Sequence, residues 1–332
     1  MGPTLLVAAL TAMLVAVLAG CAERQEIIEQ TVCVKAEDLV AETEASQVTD
    51  EFLTWTKVSE VDPGFDEARA VAFGPDDALY VAGDEAVRKM TGDGQVEWEL
   101  PVSGEPACLT FDPDGALLVG LRKSVEVYDQ GGQLLQTLAI DERRTWVTSI
   151  AAWSDDRFVA DAGNRRVLRY DASGERVGEI IGEDQQPGIP KLSVPSPHLD
   201  LVAGADGNLW MTNPGRRSIQ VLSRSDGSMV ASWDRRGNDV AGFLGCCNPT
   251  DIALLPDDRV VTAEKGLPRV KVYSGDGELL SVVAGPDTFR SGTAGIDVAT
   301  DSSGRVAVLD PKRRVVRLYE EEGGEQEAVE NE

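Results

Sequence analysis

Residues 243–266 read FLGCCNPTDIALLPDDRVVTAEKG and gather several reactive side chains around one short hairpin. Cys246 and Cys247 are adjacent, Asn248 and Asp251 follow, and Glu264 with Lys265 returns at the far end of the hairpin. Adjacent thiols suit three kinds of chemistry: a strained disulfide, a reducible switch, or a pair of soft ligands for a thiophilic metal. Carboxylate and amide oxygens at Asp251, Glu264 and Asn213 are instead the hard donors that a divalent cation such as calcium takes. Lys265 and Arg269 add positive charge and favour an anionic group on a small ligand or protein partner. His198, in PSPHLDL beside Asp200, is the single histidine, so a zinc site built from several histidines is excluded. No G-x-S-x-G elbow, phosphate-cradling glycine loop or C-x-x-C motif occurs.

The elements that must position these groups repeat six times. Each unit has an apolar strand, an Asp/Gly turn, a second strand ending in a polar residue, a link, a third strand, a Gly turn and a fourth strand. SIAAWSDDRFVADAGNRRVLRYDASGERVGEII and DIALLPDDRVVTAEKGLPRVKVYSGDGELLSVV are two such copies. The spacing of roughly 40 to 50 residues is that of propeller blades. Short strands rich in Val, Leu and Ile between Asp-Gly and Ser-Gly turns favour hairpins, and no segment has helical periodicity long enough to cover a sheet. Each sheet must therefore bury its faces against its neighbours.

The stretch DAGNRRVLRYDASGE, residues 161–175, resembles the NHL repeat, with NPGRRSIQVL and DPKRRVVRLY as weaker copies. The resemblance spans roughly residues 66–320 and implies an all-β, six-bladed β-propeller. It implies no single activity, because the family includes scaffolds, ligand binders and some enzymes. The sixth copy has only three strands, and the segment FLTWTKV, residues 52–58, alternates like a strand with no other home. It is expected to pair as the outer strand of blade six and close the ring, which removes an open sheet edge.

Registering the six turns against one another places two rings of residues at one opening. The starts of the innermost strands contribute Ala70, Cys108, Ser149, Asp200, Asp251 and Asp297. The ends of the second strands contribute Gly83, Leu121, Asp161, Asn213, Glu264 and Asp310. Asp161, Asn213 and Asp310 are expected to accept bonds from loop amides. Asp200, Asp251 and Asp297 repel one another unless cations compensate, and Arg165, Arg166, Arg216, Arg217, Arg313 and Arg314 lie in loops nearby. Propellers resembling gluconolactonases hold a divalent metal with Glu, Asn and Asp near the axis. That resemblance implies a metal-dependent hydrolase using Asp251, Glu264 and Asn213.

The first twenty residues are almost wholly apolar, and Leu18-Ala19-Gly20-Cys21 resembles the lipobox of bacterial lipoproteins, which implies removal of residues 1–20 and lipidation of Cys21. Residues 21–50 read as an acidic tether, 51–322 as the propeller and 323–332 as an acidic tail without order. The formal net charge of -26 repels nucleic acid and anionic lipid, so the globular part has neither as partner. With Cys21 lipidated, a bond between Cys246 and Cys247 is the most accessible pairing of the remaining thiols, with Cys33 on the tether and Cys108 across the axis. These readings describe an exported, membrane-anchored propeller that binds or assembles through its mouth, at Cys246, Cys247, Asn248, Asp251, Glu264, Lys265, Arg269, His198 and Asp200. Its rivals are a divalent-metal hydrolase and a redox or soft-metal accessory protein.

Overall fold

The computed structural model describes residues 47–140, 142–182 and 186–323. The expected signal peptide with Cys21, almost all of the expected tether, and the residues from 324 on lie outside the described residues. The compact unit described below runs from Val48 to Gly237 and from Ala241 onward.

The chain folds as a six-bladed β-propeller, each blade an antiparallel sheet of four strands. Blade one takes Ala68–Phe73, Leu79–Gly83, Ala86–Met90 and Val96–Pro101 from the axis outward, and blade two Pro106–Phe111, Leu117–Leu121, Ser124–Tyr128 and Leu134–Ala139. Blade three takes Val147–Ala152, Asp156–Asp161, Arg166–Asp171 and Arg176–Ile180, and blade four Leu201–Ala203, Asn208–Asn213, Ser218–Ser223 and Met229–Asp234. Blade five takes Asp251–Leu254, Val260–Glu264, Arg269–Tyr273 and Leu279–Ala284. Blade six has Asp297–Thr300, Val306–Asp310 and Val315–Glu321, and its outer strand is Trp55–Val61 from the other end of the chain.

Local chemistry explains the hairpins. In five of the six blades the turn between the first and second strands holds a left-handed residue; Gly115, Gly207 and Gly304 supply it in blades two, four and six, while Asp77 and Asp258 adopt φ of 56° and 66° in blades one and five. With the turns fixed, strand register is fixed, and every second side chain faces an adjacent blade. The apolar side chains accordingly gather into six clusters, one per blade interface. Val261 and Val272 of blade five meet Val306 and Val308 of blade six in one of them, and Val61 with Ala307 meets Val71 and Val81 in another.

The closing strand occurs as expected but lies three residues later than 52–58. Asp50–Phe52 form a 3-10 turn instead, closed by the Leu53 amide donating to the Asp50 carbonyl at 3.1 Å. A bulge between Lys57 and Ser59 leaves Val58 exposed while Trp55 and Val61 stay buried.

Candidate functional site at the channel mouth

The innermost strand of a blade pairs on one side only, so its other edge presents amides to the channel, and each needs an acceptor. The first ring of residues supplies them. Asp200 accepts the amide of Ile252 at 2.6 Å, Asp251 that of Val298 at 2.7 Å, and Asp297 that of Val71 at 2.7 Å. Ser149 accepts the amide of Leu201 at 3.0 Å. Four consecutive blades are thus stapled to their successors by side chains at one structural position, with Ala70 and Cys108 filling it in the other two. Register derived from the turns places this ring correctly.

Three carboxyl groups confined to one neck of the channel do not all ionise together. Burial, and then the like charges of Asp200 and Asp297, hold the Asp251 carboxyl well above the usual carboxylate range. Burial pushes Asp297 from its ordinary 3.8 up to about 7, against the pull of the Val71 amide. Burial likewise lifts the Cys108 thiol, with the Asp297 and Asp200 charges adding to it. Three of the six arginines expected to neutralise the ring are used elsewhere: Arg166 pairs with Asp161, Glu142 and Glu179, Arg313 with Asp310, and Arg314 with Asp66. Backbone amides of the neighbouring blades stand against these carboxyls instead.

The second ring is structural in the way expected of loop acceptors. Asp161 accepts the Trp146 amide at 3.0 Å, Asp310 the amides of Lys312 and Arg313 at 3.1 Å each, and Asn213 the Ser193 amide at 2.9 Å. In blade one the role passes to Asp84, one residue beyond Gly83, which accepts the amides of Asp66 and Glu67.

Above the carboxyl neck lies a cavity of about 400 Å³, and below it the channel continues as a second space of about 290 Å³; Asp200, Asp251 and Asp297 border both. The upper cavity is further lined by Arg69, Trp146, Thr148 and His198, with acidic Asp66 and Glu67 at its edge. Arg69 is held by Glu67 and, at 3.1 Å, by Glu105. Trp146 is 38% exposed, and the Arg122 guanidinium sits 4.0 Å from the centre of its ring. His198 is partly buried, and burial with the nearby Lys265 charge lowers it from 6.5 to about 4, so it is neutral at physiological pH.

Of the residues expected at the site, His198, Asp200 and Asp251 line this cavity. Glu264 and Arg269 do not reach solvent: both are fully buried, paired at 2.8 Å, with Lys271 as the second cation on Glu264. Arg269 and Lys271 each also donate to the Gly242 carbonyl at 3.0 Å. Arg269 therefore recognises no anionic partner, because Glu264 stands directly opposite it in the hairpin. Asn248 is buried too, and its side chain ties the entry loop to the hairpin through Leu244 and Lys265. Lys265 donates to Ser196 Oγ at 2.8 Å. The proposed calcium ligands Asp251, Glu264 and Asn213 spend their oxygens on three separate sets of protein partners. Among the described residues no three His, Cys, Asp or Glu side chains gather in a metal-holding arrangement. Cys246 and Cys247 lie at the rim, outside the cavity, as free thiols with sulfurs 3.3 Å apart rather than as the expected disulfide. Arg69 and Trp146 escaped the sequence reading; Arg69 occupies the position one residue before the ring, whose equivalents Ala107, Thr148, Leu199, Thr250 and Ile296 line the same cavity, whereas Trp146 precedes its strand and has no such repeat.

No family model and no curated protein matches the chain. Among solved structures, a streptogramin B lyase is similar over 82% of this chain and 100% of its own, with 12% identity and a TM-score of 0.58. The selenomethionine-substituted virginiamycin B lyase from Staphylococcus aureus is similar over 80% of this chain and 88% of its own, with 15% identity and a TM-score of 0.53. Both likenesses define the class of this chain as a β-propeller.

Proposed function

We propose that this propeller is a binding module whose upper cavity takes an amine or guanidinium group, from a small cationic molecule or from a Lys or Arg of a protein partner. The observation that carries this reading is the cavity itself. Its volume of about 400 Å³ falls within the usual range for small-ligand sites. Its floor is the Asp200, Asp251 and Asp297 neck, its lining includes Asp66 and Glu67, and among the described residues that line it Arg69 is the one Lys or Arg, already engaged by two glutamates. One face of Trp146 already receives a guanidinium from Arg122, so the ring is chemically suited to such a group. This replaces the anionic partner expected from Lys265 and Arg269.

Calorimetry with spermidine at near-physiological salt tests it. Wild type is expected to bind, with affinity rising as pH increases through about 7 and Asp297 ionises. Asp297→Asn and Trp146→Ala are each expected to weaken binding about tenfold, on the scale of 1.4 kcal/mol for one lost charge or cation–π contact. Undiminished binding in both variants, or a preference for citrate, excludes the cavity as the site.

The repeats are proposed to be of NHL type, supported by the Arg165, Arg217 and Arg314 links, which all take the left-handed conformation at φ of 56° to 61°. The apolar leader before Cys21 supports an exported, lipid-anchored form. A Cys21→Ser substitution is then expected to move the protein from the membrane to the soluble fraction. Unchanged partitioning argues against the anchor.

A further inference from the structure

The cavity leaves the cysteine pair unexplained, and the pair has a geometry of its own. Cys246 and Cys247 sit on the loop between blades four and five. Both sulfurs turn to the same side and approach to 3.3 Å although the residues are consecutive. The loop is fixed from beneath. Asn248 donates to the carbonyls of Leu244 at 2.5 Å and Lys265 at 3.0 Å, and accepts the Lys265 amide at 2.9 Å. The Phe243 side chain anchors the loop's start, fully buried and stacked 6.0 Å from Trp233. Above this support Cys246 is exposed and Cys247 partly so. A pair intended only for packing has no reason to face solvent, since free cysteine is otherwise among the most buried side chains.

The charge around the pair favours reaction. Lys265 reaches across to Ser196 at 2.8 Å, beside Cys247. Burial opposes ionisation of Cys247, but hydrogen bonds with Ser196 and Cys246 and the Lys265 ammonium together bring its thiol below the ordinary value. Cys246 moves the other way, chiefly because it shares a hydrogen bond with Cys247 and then because of that neighbour's charge. One sulfur is thus the readier nucleophile and the other keeps its proton. That is the order in which two thiols add to one centre.

We propose that Cys246 and Cys247 form a two-sulfur chelating site for a thiophilic centre with a narrow bond angle, of the class of trivalent arsenic. The distance selects the class. Two bonds of about 2.3 Å, the length usual for a metal–thiolate contact, span 3.3 Å when they subtend an angle of about 90°. A tetrahedral zinc needs its sulfurs about 3.8 Å apart and a linear centre needs about 4.6 Å, so both require the fixed loop to open. The capture step balances without any change of oxidation state. With an arylarsenous oxide, two S–H bonds and the As–O bond break, two As–S bonds form, and the oxygen leaves with both protons as one water.

The full chain, reduced with a phosphine, is treated with phenylarsine oxide, washed with excess monothiol and weighed intact. One aryl-arsenic adduct minus one water is expected to survive the wash. Cys246→Ser and Cys247→Ser are each expected to lose it, with retention lowered at least about a hundredfold because a single thiol lacks the effective concentration of a chelate. Cys108→Ser retains it, since that thiol is buried in the channel wall. No surviving adduct in wild type, adducts surviving in both rim variants, or protection by equimolar zinc each overturns the proposal. None of these outcomes bears on the spermidine test, which reads different residues.

Discussion

Trp55→Ala is expected to destabilise the propeller by about 3 to 5 kcal/mol, the range for removing a buried aromatic, and to lower the melting temperature by roughly 6 to 15 °C. The physical reason is topological as much as local. Trp55 is 7% exposed and packs with Val283 and Phe289, while its indole N–H donates to Ser281 Oγ of blade five at 2.9 Å. Its strand supplies the ladder that covers the third strand of blade six, from Trp55 opposite Glu321 to Val61 opposite Val316. Arg317, nearly buried, reaches Glu60 of the same strand at 2.9 Å. Deleting residues 51–61 removes this whole strand, opens the ring at one sheet edge and is expected to abolish the cooperative transition. Val58→Ala, on the exposed side of the bulge, is expected to change stability by no more than about 0.5 kcal/mol. Thermal denaturation of the three forms checks this. A Trp55→Ala protein that melts within about 2 °C of wild type would falsify the closure.

Asp297→Asn is expected to make the propeller more stable, and by clearly more at pH 8.5 than at pH 5. The folded protein holds a proton on Asp297 up to about pH 7, whereas the unfolded chain releases it near 3.8. Between those values the native state binds more protons than the unfolded state, so stability is complete at low pH and is lost as pH rises through 7. Over the two units between pH 5 and 7 the loss comes to about 3 kcal/mol at 1.36 kcal/mol per unit. It is an upper figure, because Asp297 keeps part of its surface on the channel, where water screens it. Asparagine keeps an oxygen for the Val71 amide and has no charge to set against Asp200 and Asp251. His198 acts in the opposite sense: lowered from 6.5 to about 4, it contributes stability that is lost as pH falls through that window. That contribution, and the effect of the overall charge of -26, are common to both proteins and cancel when their pH profiles are subtracted. Chemical denaturation at pH 5 and pH 8.5 measures the difference. Parallel profiles would show that Asp297 ionises normally in the folded state.

The charge placement at Glu264 shows where sequence reading stopped. Glu264 and Arg269 face each other across one hairpin, a pairing that register alone places opposite. Their complete burial comes from the blade four to five loop, whose Gly242 carbonyl and Phe243 ring cover Arg269 and Lys271. Nothing in the hairpin's own residues announces that cover, so Glu264 and Arg269 read as mouth residues when they are an interior ion pair. The closing strand was legible as a strand because its residues alternate. Its exact start was not, because a 3-10 turn and a bulge are settled by the partner strand.

By itself the sequence determined what depends on period and turn chemistry: six copies of a four-stranded unit, the missing fourth strand of the last copy, and the ring of Ala70, Cys108, Ser149, Asp200, Asp251 and Asp297. A hairpin's register follows from its own turn residues, and that information is local. The tertiary structure decided what depends on how neighbouring blades approach. It set the carboxyls of Asp200, Asp251 and Asp297 against the edge amides of the next blade, brought Arg69 and Trp146 over them, and turned the two rim sulfurs toward each other. Apart from the sulfur pair, those contacts join residues tens to hundreds of positions apart, and their geometry is fixed only when the ring closes and each blade packs against both neighbours.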